Sequence, residues 1–256
     1  MNDLRPVRRN TSPQPHDFKD YKDALPHLIR RISAGKTKDG RPSGHYCSYC
    51  ERKITTGLAV EHIEPKSGLH GKPDLEGTWT NFLLACVNCN STKGAKPFNF
   101  ADIFFPDRDN TFYAFDYRAD GSITPNPALS EHLQVCALNT LALVGLRKLS
   151  SHSVNSDIAL DRVKQRIEAW GQANIALSRY LNKRNNSVFI EITVEQMLTV
   201  GFFSVWMTVF KDIPEMKLAF IKAISGTEES GCFDLTNADV ITPHPNADGL
   251  AGGGKT

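Results

Sequence analysis

The chain lacks several features, and each absence excludes a class of protein. The longest largely apolar stretch, residues 197–210, is shorter than the ~20 residues that a bilayer-spanning helix needs. The first five residues contain no apolar core of the kind found in signal peptides. Internal repeats and long low-complexity tracts are missing as well. These absences predict a cytoplasmic protein with no membrane partner.

Charge of one sign is also scarce, because the net charge of the 256 residues is only +2. The two halves differ, however. Residues 1–100 hold 16 Lys and Arg against 10 Asp and Glu, whereas residues 101–256 hold 14 against 18. The basic half also contains most of the cysteines, so we expect that half to meet phosphate. Without the cysteine pattern, a solvated basic face would explain the charge equally well.

Cysteine is sparse, and four of the six residues form two CxxC pairs. The pairs are Cys47 with Cys50 and Cys86 with Cys89. In a reducing cytoplasm such pairs favour metal over disulfides. Each pair can present two sulfurs from one tight turn, so the four thiolates can surround one structural Zn²⁺ that contributes folding free energy. Cys136 and Cys232 lie outside the pattern and are interpreted as buried thiols without a role.

Chemistry-bearing residues lie between and beside the cysteine pairs. Phosphodiester hydrolysis needs an activated water and neutralisation of the phosphate charge. His62 can accept a proton near neutral pH. Glu61 and Asn90 offer hard oxygen ligands, which suit Mg²⁺ or Mn²⁺. Asn81 can bond backbone across the intervening loop and hold His62 in the right tautomer. The combination predicts a metal-dependent nuclease.

Each of these residues also has a structural interpretation. A lone histidine such as His62 is more often a satisfied structural residue. Asn81 would serve equally well as a turn cap, and Asn90 as a helix N-cap. Lys93, one turn beyond Asn90, either contacts phosphate as a point charge or is a solvated helix lysine. We favour the functional interpretation because the four residues occur together with the cysteines.

The pattern of the first hundred residues predicts several short elements. Apolar residues recur at helical spacing over residues 18–32, and a basic flexible loop is expected over 35–44. Strands are predicted over 58–63 and 81–84, separated by a polar loop, and a helix over about 88–96. The local order is therefore strand, loop, strand, helix.

Beyond residue 97 the character changes. Asp120-Gly121 between aromatic and β-branched residues predicts a hairpin. Helices are then expected over about 130–149, 156–183 and 216–224, and another that opens with a capping box at Thr193 and continues to residue 210. The tail from Gly226 is expected to be loose.

The motif residues together resemble the HNH endonuclease superfamily. The resemblance covers about residues 45–96 and rests on Cys47-x-x-Cys50, Glu61-His62-Ile63-x-Pro65 and Asn81-x-x-Leu84-x-Cys86-x-x-Cys89-Asn90-x-x-Lys93. It implies a ββα-metal fold with a zinc knot, His62 as general base, Asn81 as its orienting residue, and Glu61 with Asn90 as ligands of the catalytic Mg²⁺ or Mn²⁺. The family more often has Asp at the position of Glu61 and often His at that of Asn90, which leaves the preferred ion open. Lys93, Lys66 and Arg52 are the candidate nucleic-acid contacts.

A narrower resemblance involves residues 4–9, 46–52 and 81–94. These segments are similar to the HNH subunits of bacterial antiphage systems of the Septu type (PtuB) and of related retron-linked pairs. That likeness implies a host-defence nuclease that cuts phage or plasmid DNA in complex with an ATPase of the ABC/SMC-like class.

The sequence therefore predicts an α+β chain in four parts. A basic arm with an amphipathic helix (1–44) precedes a small ββα-metal core with a structural zinc knot (45–100). A linker with a β-hairpin (101–127) leads to a mainly helical domain, suited to partner docking, with a loose tail (128–256). The alternative function is a non-catalytic zinc-knuckle protein that binds nucleic acid or acts as an adaptor.

Overall fold

The structure is a computed structural model. It describes residues 17–32, 34–36, 42–147, 156–182, 187–224 and 226–256. Residues 1–16 and 37–41 lie outside the described residues, so the basic arm and the basic loop remain predictions there. Among the described helices, none combines the length and the apolar character that a bilayer crossing requires.

Short strands and helices alternate in the first half, and helices dominate the second. The strands are β1 Ala34–Lys36, β2 Pro42–His45, β3 Leu58–His62, β4 Phe82–Cys86, β5 Phe115–Tyr117 and β6 Ile123–Pro125. The helices are α1 Leu25–Ile32, α2 Val87–Lys93, α3 Thr111–Ala114, α4 Glu131–Leu143, α5 Ser156–Asn182, α6 Ser187–Val200, α7 Phe203–Val209 and α8 Pro214–Ala223.

The motif region folds into an antiparallel pair of strands followed directly by a helix. Strand β3 pairs with β4, and the register places His62 opposite Phe82 at one end of the ladder. All five residues of β4 are buried, because β3 lies beside it while α1 and α2 both contact it. Helix α2 starts at the residue after β4. The predicted order of strand, loop, strand and helix, and the small mixed core with its cysteine cluster, are confirmed.

The N-terminal helix is confirmed, but the flexible loop predicted after it is wrong in its described parts. Strand β1 pairs with β2 in antiparallel fashion. Gly35 is needed for close packing, since a Cβ at this position would lie 2.5 Å from Leu198 Cδ2 of α6. Glycine in this segment therefore permits contact with the helical half, whereas the sequence suggested chain flexibility.

The hairpin predicted from Asp120-Gly121 is confirmed, with β5 and β6 as its two strands. Gly121 adopts a φ of +75°, which glycine accommodates without steric cost. The aromatic run before it does not begin as a strand. Asn110 caps the short helix α3 by accepting a hydrogen bond from the Tyr113 amide, so the first aromatic residues are helical.

The helical half differs from its prediction at one junction. Thr193 does not cap a helix: it is buried inside α6, and its hydroxyl donates to the Phe189 carbonyl over 2.7 Å. The single helix expected to run through residue 210 is broken at Gly201 and Phe202, whose φ values are +81° and +62°. A Cβ at Gly201 would lie 2.8 Å from the Lys53 amide nitrogen. The break thus lets the helical half approach the backbone of the first cysteine turn.

The prediction of a loose tail is wrong. Residues after Gly226 pack on the rest of the chain, and several are buried: Cys232, Phe233, Ala238, His244 and Leu250. The Asp109 carboxylate accepts a hydrogen bond from the Lys255 amide and pairs with its ammonium at 3.2 Å. Arg108 donates to the Ala251 carbonyl at 3.0 Å. Glycine-rich composition suggested looseness, but it instead allows tight turns such as that at Gly252, with a φ of +64°.

Two hydrophobic clusters make up most of the core. One surrounds the strands and cysteines and includes residues of α1 and α4, while the other is formed by α5 to α8 and the tail. Polar contacts of the residues that follow the first cysteine pair join the two clusters. The Glu51 carboxylate accepts from the Ser204 amide and hydroxyl at 2.8 and 2.6 Å, and Arg52 pairs with Asp161 at 3.3 Å. The strand core therefore rests directly on the helices.

Candidate active site and metal centre

Two backbone turns bring the four predicted cysteines together. In the first, the Glu51 amide donates to the Cys47 carbonyl, and the Cys47 amide donates to the Arg52 carbonyl. The second pair lies where β4 ends and α2 begins, so Cys86 is the N-cap residue of that helix. The Ser48 amide donates to the Leu84 carbonyl over 2.9 Å and ties the first turn to β4.

The sulfur positions fit one tetrahedral metal ion. The ligand atoms of Cys47, Cys50, Cys86 and Cys89 all lie within 4.8 Å of one another, and all four residues are buried. The Cys50 and Cys86 sulfurs are 3.9 Å apart. A tetrahedral zinc with Zn–S bonds of about 2.3 Å requires sulfur separations of about 3.8 Å. The four cysteines are therefore placed to bind a metal such as zinc.

His62 is held by its ring at the end of β3. Its Nε2 lies 2.9 Å from the Glu76 carbonyl oxygen. Because a carbonyl can only accept, Nε2 must carry the proton, and in the neutral ring Nδ1 is then the basic nitrogen. The ring packs edge-on against Tyr21 and Phe82, with centroids 5.0 and 5.1 Å away. Burial lowers the pKa of His62, which keeps the ring neutral at physiological pH.

Asn81 fastens the loop between the two strands. Its Oδ1 accepts from the Glu64 amide at 2.8 Å, and its Nδ2 donates to the Glu64 and Leu75 carbonyls at 2.9 and 3.3 Å. These partners are too distant in sequence for a simple turn cap. The Asn81 side chain contacts the loop backbone, whereas the His62 ring donates its hydrogen bond to the Glu76 carbonyl. The Asn81 main-chain carbonyl also accepts from the Ile63 amide at 2.8 Å, so Asn81 fixes the backbone that follows His62 as well as the backbone that precedes Glu76.

Glu61 and Lys93 form a buried ion pair. The Lys93 Nζ lies 2.8 Å from Glu61 Oε1, and both side chains are only 1% exposed. The same ammonium donates to the His62 carbonyl at 2.7 Å. Tyr49, inside the first cysteine turn, adds a longer hydrogen bond to Oε1 at 3.4 Å. Burial raises the pKa of Glu61 to about 7, and Lys93 opposes that rise. The interpretation of Lys93 as a solvated helix lysine is wrong.

Asn90 lies inside α2 and is partly exposed. Since Cys86 is the N-cap residue, the N-cap interpretation of Asn90 is wrong. Lys93 is three residues further on, so the two side chains leave the same face of the helix. Lys93 reaches Glu61 from that face. Carboxylate and amide oxygens are donors that Mg²⁺ or Mn²⁺ accepts, but an ion at Glu61 Oε1 requires displacement of the Lys93 ammonium.

The two other candidate nucleic-acid contacts are both in ion pairs. Lys66 lies beside the His62 ring, because its ammonium pairs with Glu76 at 2.6 Å and covers the Tyr21 ring at 3.7 Å. Its side chain is 32% exposed, which leaves it accessible. Arg52 instead points to helix α5, where it pairs with Asp161.

Three contributors to the site were missed by sequence reasoning. The Glu76 carbonyl is a backbone group in the loop and leaves no side-chain signal. Tyr49 could have been noticed, since a residue inside a CxxC turn necessarily lies near the strands that the turn contacts. Arg162 of α5 donates to the Cys89 sulfur at 3.3 Å from a segment 73 residues away, and no local pattern indicates that contact.

The geometry of the site can be set beside a comparison with known proteins. Residues 47–96 match the HNH endonuclease family. This range contains the four cysteines and all the residues predicted to act in catalysis. The HNH-type resemblance inferred from the motif is thereby supported at the level of the superfamily.

A relative from Vibrio cholerae serotype O1 biovar El Tor is similar over a longer range. It is named as a candidate HNH endonuclease of retron Vc95 and is 30% identical over 137 residues. The alignment covers 52% of this chain and spans 62% of the relative's own length. Both matches are named for HNH endonucleases, which is the class of phosphodiester hydrolase that the sequence predicted.

Proposed function

We propose that this protein is a divalent-metal-dependent HNH endonuclease that hydrolyses phosphodiester bonds of DNA. The observation that carries the proposal is the His62 ring, which is oriented by the Glu76 carbonyl so that Nδ1 is the basic nitrogen. It lies next in sequence to Glu61, within the segment that matches the HNH family. A protein that only binds nucleic acid has no need of this combination.

In the proposed reaction His62 Nδ1 takes a proton from the attacking water. The neutral ring suits this role, because a base must be unprotonated at the working pH. The Glu76 carbonyl keeps the ring in one tautomer, and Asn81 holds the loop on which that carbonyl lies. Asn81 is therefore proposed as a positioning residue.

Glu61 and Asn90 are proposed to hold Mg²⁺ or Mn²⁺. Such an ion would neutralise charge on the phosphate and on the leaving oxygen. We further propose that Lys93 releases Glu61 when the site is loaded, since two cations compete for one carboxylate oxygen. The released ammonium would then be free to contact phosphate, as the sequence suggested. Lys66 and Arg52 are proposed as additional contacts, with Lys66 nearer to His62.

Replacing Lys93 by methionine tests this exchange. The variant leaves Glu61 buried without its cation, and breaking a buried ion pair costs about 3–5 kcal/mol. We expect a lower Tm than wild type without Mg²⁺, and a larger rise in Tm on adding Mg²⁺, because ligand binding to the folded state stabilises it. Differential scanning fluorimetry across a Mg²⁺ series measures both effects.

Lys96→Met is the matched control, since Lys96 is an exposed lysine whose ammonium donates to the Leu143 carbonyl at 3.3 Å. It should respond to Mg²⁺ as wild type does. An equal Mg²⁺ shift in Lys93→Met and wild type would exclude competition between the ammonium and the ion.

The cellular role is proposed on the narrower resemblance. Similarity to a retron-associated protein supports a place in a bacterial defence system. We propose a cytoplasmic nuclease effector of the Septu or retron-linked type, with structural Zn²⁺ in the four-cysteine site and an ABC/SMC-like ATPase as its partner. The helical half, which contacts the nuclease core through Glu51 and Arg52, is proposed to carry that docking function.

The central experiment is a plasmid nicking assay with purified protein. We expect conversion of supercoiled DNA to open-circle and linear forms with Mg²⁺ or Mn²⁺, and no conversion when EDTA is present, because the proposed chemistry needs the ion. If the isolated chain is silent, the assay is repeated on the complex that co-purifies with the neighbouring gene product. DNA binding without cleavage in both preparations would favour the non-catalytic zinc-knuckle alternative.

A further inference from the structure

The four-cysteine site poses an electrostatic problem. Four thiolates around one Zn²⁺ carry a net charge of −2. The four cysteines are between 0 and 4% exposed, so water does little to screen that charge. A buried charge is tolerated only where it is paired or hydrogen-bonded. The surrounding protein must therefore supply positive charge close to the sulfurs.

Helix α5 directs one arginine at the cluster. Arg162 is 2% exposed, and its Nη1 donates to the Cys89 sulfur at 3.3 Å. The same guanidinium is fixed by the end of α4, because Nη1 also donates to the Val144 carbonyl and Nη2 to the Gly145 carbonyl, both at 3.1 Å. Backbone carbonyls therefore fix the planar guanidinium in a position where its positive charge lies next to the metal site.

A second arginine lies one helical turn further along α5. Arg166 is 3% exposed, and its Nε donates to the Gly121 carbonyl of the hairpin at 2.7 Å. Within the described residues its Nη1 has no hydrogen-bond partner. Burial lowers the pKa of Arg166, and Arg162 lowers it further, whereas the Cys50 and Cys89 thiolates oppose that fall. A buried arginine with an unsatisfied nitrogen is costly unless nearby negative charge offsets it.

The two positive charges on α5 equal in number the net negative charge of the zinc–thiolate centre. We infer that Arg162 and Arg166 are the counter-charges of the zinc–thiolate centre, so that the helical half retains zinc in the nuclease core without providing a ligand. The inference rests on the structural zinc of the proposed function. Groups outside the ligands that bond to them orient the ligands and tune metal affinity, often by 10–100-fold. Arg162 and Arg166 would act here as positioning residues.

The test compares zinc release from full-length protein variants. Arg162→Met and Arg166→Met remove the charge at similar side-chain length, while Arg162→Lys keeps it. Arg179→Met is the matched control, because Arg179 is an exposed arginine on the same helix. Zinc transfer to a chromophoric chelator should be about 10-fold faster or more in the two methionine variants, intermediate in Arg162→Lys and unchanged in Arg179→Met.

Cobalt substitution supplies a readout that packing alone would not change. Loss of the hydrogen bond to the Cys89 sulfur makes that thiolate more electron-rich, so the sulfur-to-cobalt charge-transfer band should move to lower energy in Arg162→Met. Wild-type release rates and spectra in Arg162→Met, or in Arg166→Met and Arg162→Lys if the first variant does not fold, would overturn the inference. Wild-type protein without bound zinc would instead refute the structural-zinc proposal itself.

Discussion

Replacing Cys86 by serine is expected to abolish zinc binding and to unfold the strand core. Structural zinc contributes about 10–16 kcal/mol in small zinc-binding peptides, which is comparable to the whole stability of a domain at about 5–15 kcal/mol. Cys86 joins β4 to α2, so the loss falls where the candidate catalytic segments meet. Zinc content by elemental analysis and thermal unfolding by circular dichroism measure the effect.

Serine is a favourable N-cap residue, so the substitution should not weaken helix α2 by itself. Cys136→Ser is the matched control, because Cys136 is equally buried but lies outside the cluster. It should keep its zinc and lose little stability, since a serine hydroxyl can also donate to the Ala101 carbonyl that the thiol contacts. A Cys86→Ser protein with a full complement of zinc and the wild-type Tm would show that Cys86 is not a ligand of a structural ion.

Replacing His62 by asparagine should lower the cleavage rate by about 10²–10⁴-fold, the usual contribution of a general base. Asparagine fits within the space of the imidazole and remains polar, but it cannot accept a proton from water near neutral pH. The fold should therefore be largely preserved while the chemistry is lost. Initial rates of plasmid nicking with saturating Mg²⁺ measure the effect, and circular dichroism verifies the fold.

His132→Asn is the control for this substitution, since His132 is an exposed histidine of α4. It should cut at the wild-type rate. DNA affinity, measured with EDTA present, should be similar for wild type and His62→Asn, because His62 is proposed to act on water and not on the DNA backbone. Equal cleavage rates for His62→Asn and wild type would remove His62 from the mechanism.

Local sequence was sufficient to predict the secondary structure of the candidate site. The order of cysteines, Glu61-His62 and the asparagines defined the strand–loop–strand–helix unit, because metal ligands and short paired strands constrain the chain over few residues. The hairpin at Asp120-Gly121 followed equally from local turn chemistry. The family similarity of residues 47–96 agrees with that local information.

Other features required contacts between distant segments. The helix is broken at Gly201 because the chain there lies close to the backbone of Lys53. The sequence around Thr193 resembles the start of a helix, but Thr193 is buried within α6. The glycine-rich tail packs against the rest of the chain because Asp109 and Arg108 form hydrogen bonds with its backbone. In each case composition described the segment alone, whereas its partner decided the conformation.

The amino-acid sequence by itself determined which groups could perform chemistry here: four sulfurs, one imidazole and a few oxygen donors at a spacing that short-range folding brings together. Only the tertiary structure decided the protonation and the charge pairing of these groups. It chose the His62 tautomer through a backbone carbonyl, buried Lys93 against Glu61, and set Arg162 against Cys89. The reason is physical, since protonation and charge pairing depend on distance and desolvation, which are properties of the folded chain.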